Sequence, residues 1–166
     1  MRNNVEGPIR LSDRAVVFLD FDGVLHPVGL PAIDEDFRLI DNPGLFVWLP
    51  ILERLLAPYP MIGIIVSSDW RRLFDDTTLI QLLGPLAARF VGVVECYGAS
   101  RSEEILAEVE RRGLKAWLAL DDHPRVLAAH GRDARFIACE PATGLSSVAV
   151  QRILSLRLAH LLVNEF

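Results

Sequence analysis

Val16-Val17-Phe18-Leu19-Asp20-Phe21-Asp22-Gly23-Val24 is the stretch on which the reading of this chain turns. A short apolar run ends abruptly in two aspartates one residue apart, with a glycine close behind. Apolar runs of this length form the buried strands of parallel sheets. Acids at the exit of such a strand lie in the crevice at the carboxyl edge, where open α/β folds bind ligands. Two carboxylates this close repel each other unless a cation or a shared proton relieves them. The competing reading is a polar loop that happens to carry two aspartates, and the rest of the chain decides between the two.

Apolar runs recur at 16–19, 61–66, 90–94, 116–120 and 134–138, and segments with helical punctuation separate them. Leu45, Trp48, Leu49, Leu52, Leu55 and Leu56 follow the 3.6-residue period, with Pro43 suited to a first turn. Pro50 either kinks that helix or begins it. Asp75 or Asp76 caps a helix that stops at Gly84-Pro85. Ser100-Arg101-Ser102-Glu103 has the form of a capping box, and Gly113 closes the helix it opens. A short helix covers 124–130 and a leucine-rich one 146–163. Strand and helix alternate throughout, which predicts right-handed βαβ units and a parallel sheet covered on both faces.

The length, 166 residues, suits one domain with a real core, and a hydrophobic content of 51% argues for a globular chain. A net charge of -5 argues against a broad electrostatic grip on nucleic acid, while leaving room for a local basic pocket. Cys96 and Cys139 are far apart, carry no metal-ligand spacing and read as buried free thiols. No run approaches the ~20 apolar residues of a membrane span, and the first run leads straight into Asp20 instead of a cleavage site. A cytoplasmic setting with no membrane partner is the expectation.

The strand ends carry the chemistry. The first ends in Asp20 and Asp22, the second in Ser67-Ser68-Asp69-Trp70-Arg71, and the fourth in Asp121-Asp122. Arg101 follows the third, at the start of a helix. This order resembles the haloacid dehalogenase-like (HAD) hydrolase superfamily: Asp-x-Asp, then Ser or Thr, then Lys or Arg, then an acidic pair. Phe-Leu-Asp-Phe-Asp-Gly-Val-Leu together with Ser-Ser-Asp-Trp-Arg looks most like the HAD domain of Swiss-army-knife RNA repair proteins.

Residues 1–14 are polar and read as a loosely held lead-in, and the resemblance implies a single Rossmann-like domain over 15–166. Its five-stranded parallel sheet has the order 5-4-1-2-3. It implies a Mg²⁺-dependent phosphatase with Asp20 as nucleophile, forming an aspartyl-phosphate, and Asp22 as acid and base. Ser67, with Ser68 as the alternative, would bond a phosphoryl oxygen, and Arg101 would offset its charge. Asp20, Asp121, Asp122 and the Asp22 carbonyl would hold the metal, an oxygen-only set that suits Mg²⁺. Gly23 completes the first motif beside the substrate. Arg101 departs from the commoner lysine, and Lys115 cannot replace it, because the length of the fourth strand carries it to the opposite edge.

Other residues keep two readings. Trp70 and Arg71 could stack on a base and pair with phosphate, or be core and a solvated face. His26 and His123 lie near the site and could touch substrate or serve as loop residues. Neither 26–60 nor 69–89 leaves room for a separate cap domain. An open site suits large phosphorylated substrates, with nucleic acid ends as the first choice. A small-metabolite or nucleotide phosphatase and a non-catalytic phosphate-binding module are the alternatives. A nucleotide-sugar transferase would not need the second acidic pair. A receiver-like module would place its phosphorylated Asp after the third strand, where Glu95-Cys96 stands.

Overall fold

Each apolar run becomes a strand, with its ends moved by at most two residues. The computed structural model describes residues 14–163. Its strands are β1 (Val16–Leu19), β2 (Gly63–Val66), β3 (Phe90–Val93), β4 (Trp117–Asp121) and β5 (Phe136–Ala138). They form one sheet in the order β3-β2-β1-β4-β5, parallel at every pairing. This is the expected order read from the other edge.

Alternation along the strands sorts side chains to two faces. Val17, Leu19, Ile64, Val66, Leu118, Leu120 and Ile137 pack with α1 (Leu49–Leu56), α2 (Asp76–Leu82) and α5 (Val148–Leu161). Val16, Phe18, Ile65, Trp117, Ala119 and Phe136 pack with α3 (Arg101–Arg112) and α4 (Pro124–His130). All four residues of β1 are fully buried, as a central strand covered on both sides requires. Truncating Phe18, which meets the Trp117 ring edge-on at a centroid distance of 5.9 Å, would cost ~3–5 kcal/mol.

Some boundaries differ from the periodicity. Pro50 begins its helix: α1 starts at Leu49, and Phe46 just before it has φ 57°, which no helix allows. Asp75 is the cap of α2, accepting Thr78 N–H at 2.8 Å. The chain does not leave helical geometry at Gly84-Pro85 but tightens into a 3₁₀ turn over Gly84–Arg89. Ser100 caps α3 through Glu103 N–H, and Gly113 ends it in the left-handed region at φ 62°. The last helix begins at Val148, after a 3₁₀ turn at Gly144–Ser146. It buries Val150, Leu154, Leu158 and Leu161.

Between β1 and α1 lie a turn and a loop with one antiparallel bridge, Ile33 to Leu39, and no inserted domain. Most of the lead-in expected over 1–14 lies outside the described residues, as do residues 164–166. No helix among the described residues is long and apolar enough to cross a membrane. Cys139 is a buried free thiol, pushed up to about 12 chiefly by burial. Cys96 corrects the expectation: its free thiol is only partly covered, because it sits in the loop after β3.

Candidate active site

The strand register assembles the site. Leu19 pairs with Val66 on one side and with Leu120 on the other, so the next residues, Asp20, Ser67 and Asp121, stand abreast at the carboxyl edge. Ser67 N–H donates to Leu19 O at 2.9 Å and Asp20 N–H to Leu120 O at 3.1 Å, extending the ladders by one residue. All three side chains are buried.

Asp20 Oδ1 accepts Phe21 N–H at 2.8 Å. Burial pushes its carboxyl well above the usual range, the Asp121 charge adds to this, and Arg101 opposes it. Burial likewise raises Asp121, against the pull of Arg101. Asp122, half-buried, is raised to about 6 by burial and by its neighbours Asp121 and Asp22. Carboxylate oxygens of Asp20, Asp121 and Asp122 lie within 4.8 Å of one another. Asp121 Oδ2 is buried and has no hydrogen-bond partner. Three crowded carboxylates against one guanidinium leave unbalanced charge, and an orphaned oxygen among them fits a divalent cation.

Gly23 has φ 68°, and a Cβ there would run into the Asp122 carboxylate. The glycine of the first motif is thus what lets the fourth motif approach the first. Ser67 Oγ is also buried without a partner. Ser68 Oγ instead accepts Trp70 N–H at 3.4 Å, capping the 3₁₀ turn Asp69–Arg72. Of the two serines, Ser67 therefore has the uncommitted hydroxyl.

Arg101 is buried in the first turn of α3, not solvated there. It donates to Ser67 O and stands 3.9 Å from Asp20 Oδ1, 3.8 Å from Asp121 Oδ2 and 3.0 Å from Asp69 Oδ2. Burial works against its charge, but Asp121, Asp20 and Asp69 outweigh that and raise its pKa.

The expected substrate grip by Trp70 and Arg71 is corrected. Trp70 is 5% exposed, edge-on to Phe21 and Phe46. Its Nε1–H donates to Asp22 Oδ2 at 2.7 Å. An indole enclosed by aromatic rings has no face for a base. The Arg71 side chain, 3% exposed, donates to Ser67 O, Ser68 O and Val94 O and pairs with Glu104 at 2.7 Å. It pins the loop after β2 to α3, because five donors on a buried guanidinium must find acceptors.

Two contributors were not legible as such. His26 is fully buried and donates from Nε2 to Asp22 Oδ1 at 3.1 Å. Phe46 N–H donates to His26 Nδ1 at 3.3 Å, which assigns the ring hydrogen to Nε2. Burial pushes the Asp22 carboxyl up, yet the bonds from His26 and Trp70 outweigh it and its pKa falls below the ordinary value. Glu104 is the second. Arg101, Glu104 and Glu108 recur at i, i+3 and i+7 on the buried face of α3. Charges at core spacing are the signal that would have found it. His123 caps α4, its Nδ1 accepting Arg125 N–H at 3.2 Å.

The family model for the HAD domain in Swiss Army Knife RNA repair proteins matches residues 16–150, from the first residue of β1 into α5. The chain belongs to this family. No curated protein and no solved structure matches it. The match to this HAD domain spans all five strands and the stretch of chain that carries the site.

Proposed function

We propose that this HAD domain is a phosphatase that transfers a phosphoryl group to Asp20 and then to water. The observation that carries the reading is the convergence, at one point of the sheet edge, of the buried Asp20 carboxylate, the Arg101 guanidinium and the uncommitted Ser67 hydroxyl. Preorganised donors around a nucleophile are what phosphoryl transfer requires of a protein.

An Asp20 oxygen attacks phosphorus, and the bond to the leaving oxygen breaks with its electron pair on that oxygen. Asp22 supplies the proton the leaving oxygen needs. In the second half water attacks phosphorus, the aspartyl P–O bond breaks, and the water proton returns to Asp22, balancing the cycle. The bonds from His26 and Trp70 favour the Asp22 carboxylate, so the present geometry serves this second half best. Ser67 and Arg101 bind and orient phosphoryl oxygens. A Mg²⁺ ion held by Asp20, Asp121, Asp122 and the Asp22 carbonyl would screen the phosphate charge from the nucleophile.

Among the described residues no lid domain is inserted after β1 or β2, and the family name refers to RNA repair. Both support a phosphate at the end of a nucleic acid as substrate. The test is phosphate release from 5′- and 3′-phosphorylated oligonucleotides, sugar phosphates and acetyl phosphate, in Mg²⁺ and in excess chelator. Asp20→Asn should abolish release while the fold persists. Release by that variant at the wild-type rate, or none from any substrate by the wild type, would overturn the reading.

A further inference from the structure

The loop from β3 to α3 leaves the sheet at the same edge as the site and ends at Ser100, the cap before Arg101. Two buried glutamates of α3 hold its backbone. Glu95 and Cys96 N–H donate to Glu108 Oε2 at 3.1 and 3.3 Å, and Gly98 N–H reaches Glu104 Oε1 at 3.5 Å. A loop so anchored could fold its one aromatic ring inwards. Instead Tyr97 is 81% exposed, more than any other exposed large apolar side chain among the described residues.

The Arg72 guanidinium lies 5.5 Å from the centre of the Tyr97 ring. Arg72 is itself fixed by Glu104 at 2.9 Å and by Asp69 Oδ1 at 3.5 Å. The other Asp69 oxygen takes Arg101 at 3.0 Å, and Arg101 stands beside Asp20. The ring is thus linked to the surroundings of the nucleophile by one cation–π contact and then by the ion pairs Arg72–Asp69, Asp69–Arg101 and Arg101–Asp20.

We propose that Tyr97, backed by Arg72, is a stacking platform for a nucleobase of a substrate whose phosphate sits at Asp20; this rests on the phosphatase reading above. An arginine against one face polarises the ring and leaves the other face free. Every base has a π-face, so such a platform binds without sequence preference. The anchored backbone keeps the ordering cost of binding low. In a chain of net charge -5, stacking supplies the affinity that a long run of phosphate contacts would supply in a basic protein. The function expected of Trp70 therefore falls to a ring outside the core.

The experiment measures equilibrium binding in Mg²⁺ to the turnover-inactive Asp20→Asn protein, with and without Tyr97→Ala. The probes are a 5′-phosphorylated trinucleotide, adenosine 5′-phosphate and ribose 5-phosphate, the last being the mononucleotide without its base. Tyr97→Ala should cut the preference for base-bearing probes over ribose 5-phosphate by about tenfold or more. Tyr97→Phe and Tyr97→Trp should retain that preference. Loss with both base-bearing probes places the phosphorylated nucleoside's own base on the ring; loss with the trinucleotide alone places its neighbour there. An undiminished preference in Tyr97→Ala, or no preference before the change, overturns the proposal. Acetyl phosphate turnover by the wild type is scored separately, so failure of the phosphatase reading is distinguishable from failure of the platform.

Discussion

Trp70 Nε1–H donates to Asp22 Oδ2 across 2.7 Å, joining the loop after β2 to the second aspartate of the first motif. His26 holds the other oxygen at 3.1 Å. Both carboxylate oxygens are therefore fixed by N–H donors while the side chain stays 37% exposed towards the open edge. A carboxylate anchored at two points presents its remaining lone pairs in one direction, which is what a proton-transfer group needs.

Trp70→Phe keeps the ring and removes the donor. Turnover should fall roughly 10–100-fold, since small misplacements of a catalytic group cost this much. Stability should fall by about 1.5–3 kcal/mol, the worth of a hydrogen bond to a charged group. Steady-state kinetics at saturating phosphomonoester, alongside urea unfolding, checks both. An unchanged kcat would remove Trp70 from the positioning of Asp22.

Arg71→Lys tests the buried staple. A lysine has no planar fork with which to meet Ser67 O, Ser68 O, Val94 O and Glu104 together. The variant should lose ~3 kcal/mol of stability, with KM close to the wild-type value. The reverse pattern, a large rise in KM with an unmoved melting temperature, would restore Arg71 to the substrate.

Mg²⁺ should raise the melting temperature, because it relieves three mutually repelling carboxylates and binds only the folded chain. At a hundredfold excess over Kd the gain is about 2.7 kcal/mol. Asp121→Asn should remove most of that gain, and Gly23→Ala should weaken it, since the added Cβ displaces the Asp122 carboxylate. Differential scanning fluorimetry across a Mg²⁺ titration reads all three proteins. A metal response in Asp121→Asn equal to that of the wild type would exclude this cluster as the binding site.

Acid should unfold the protein partly through Glu108. Burial alone would raise its pKa, but bonds from Arg111 and Arg112, with help from Cys96 and Glu95 N–H, hold it at about 2. The folded value lies below the unfolded one, so the stabilisation is complete above pH ~4.5 and is lost as pH falls towards 2. The contribution is on the order of 2 kcal/mol, after allowance for the solvent that reaches Arg111. Glu108→Gln should flatten the urea midpoint between pH 5 and pH 2. Direct NMR titration of the Glu108 carboxyl supplies a second reading if that variant folds poorly; an ordinary carboxylate midpoint there would refute the argument.

The sequence by itself determined the sheet and the placement of its acids. Apolar runs 16–19, 61–66 and 116–120 each end at or next to their polar residues, and the parallel register of the folded sheet then sets Asp20, Ser67 and Asp121 in one row. Capping signals such as Ser100 and Gly113 are local and were equally legible. What a pattern in one dimension cannot encode is which polar groups turn inwards. Trp70-Arg71, Arg101 and Glu104 are all charged or amphipathic residues near helix starts, and only packing decided that they face the core. There each donor needs an acceptor, so Trp70 found Asp22, Arg71 found Glu104, and Arg101 found Asp20 and Asp121. The exposed Tyr97 ring is the counterpart: nothing in its local pattern singles it out, and only the folded loop shows it in solvent beside Arg72.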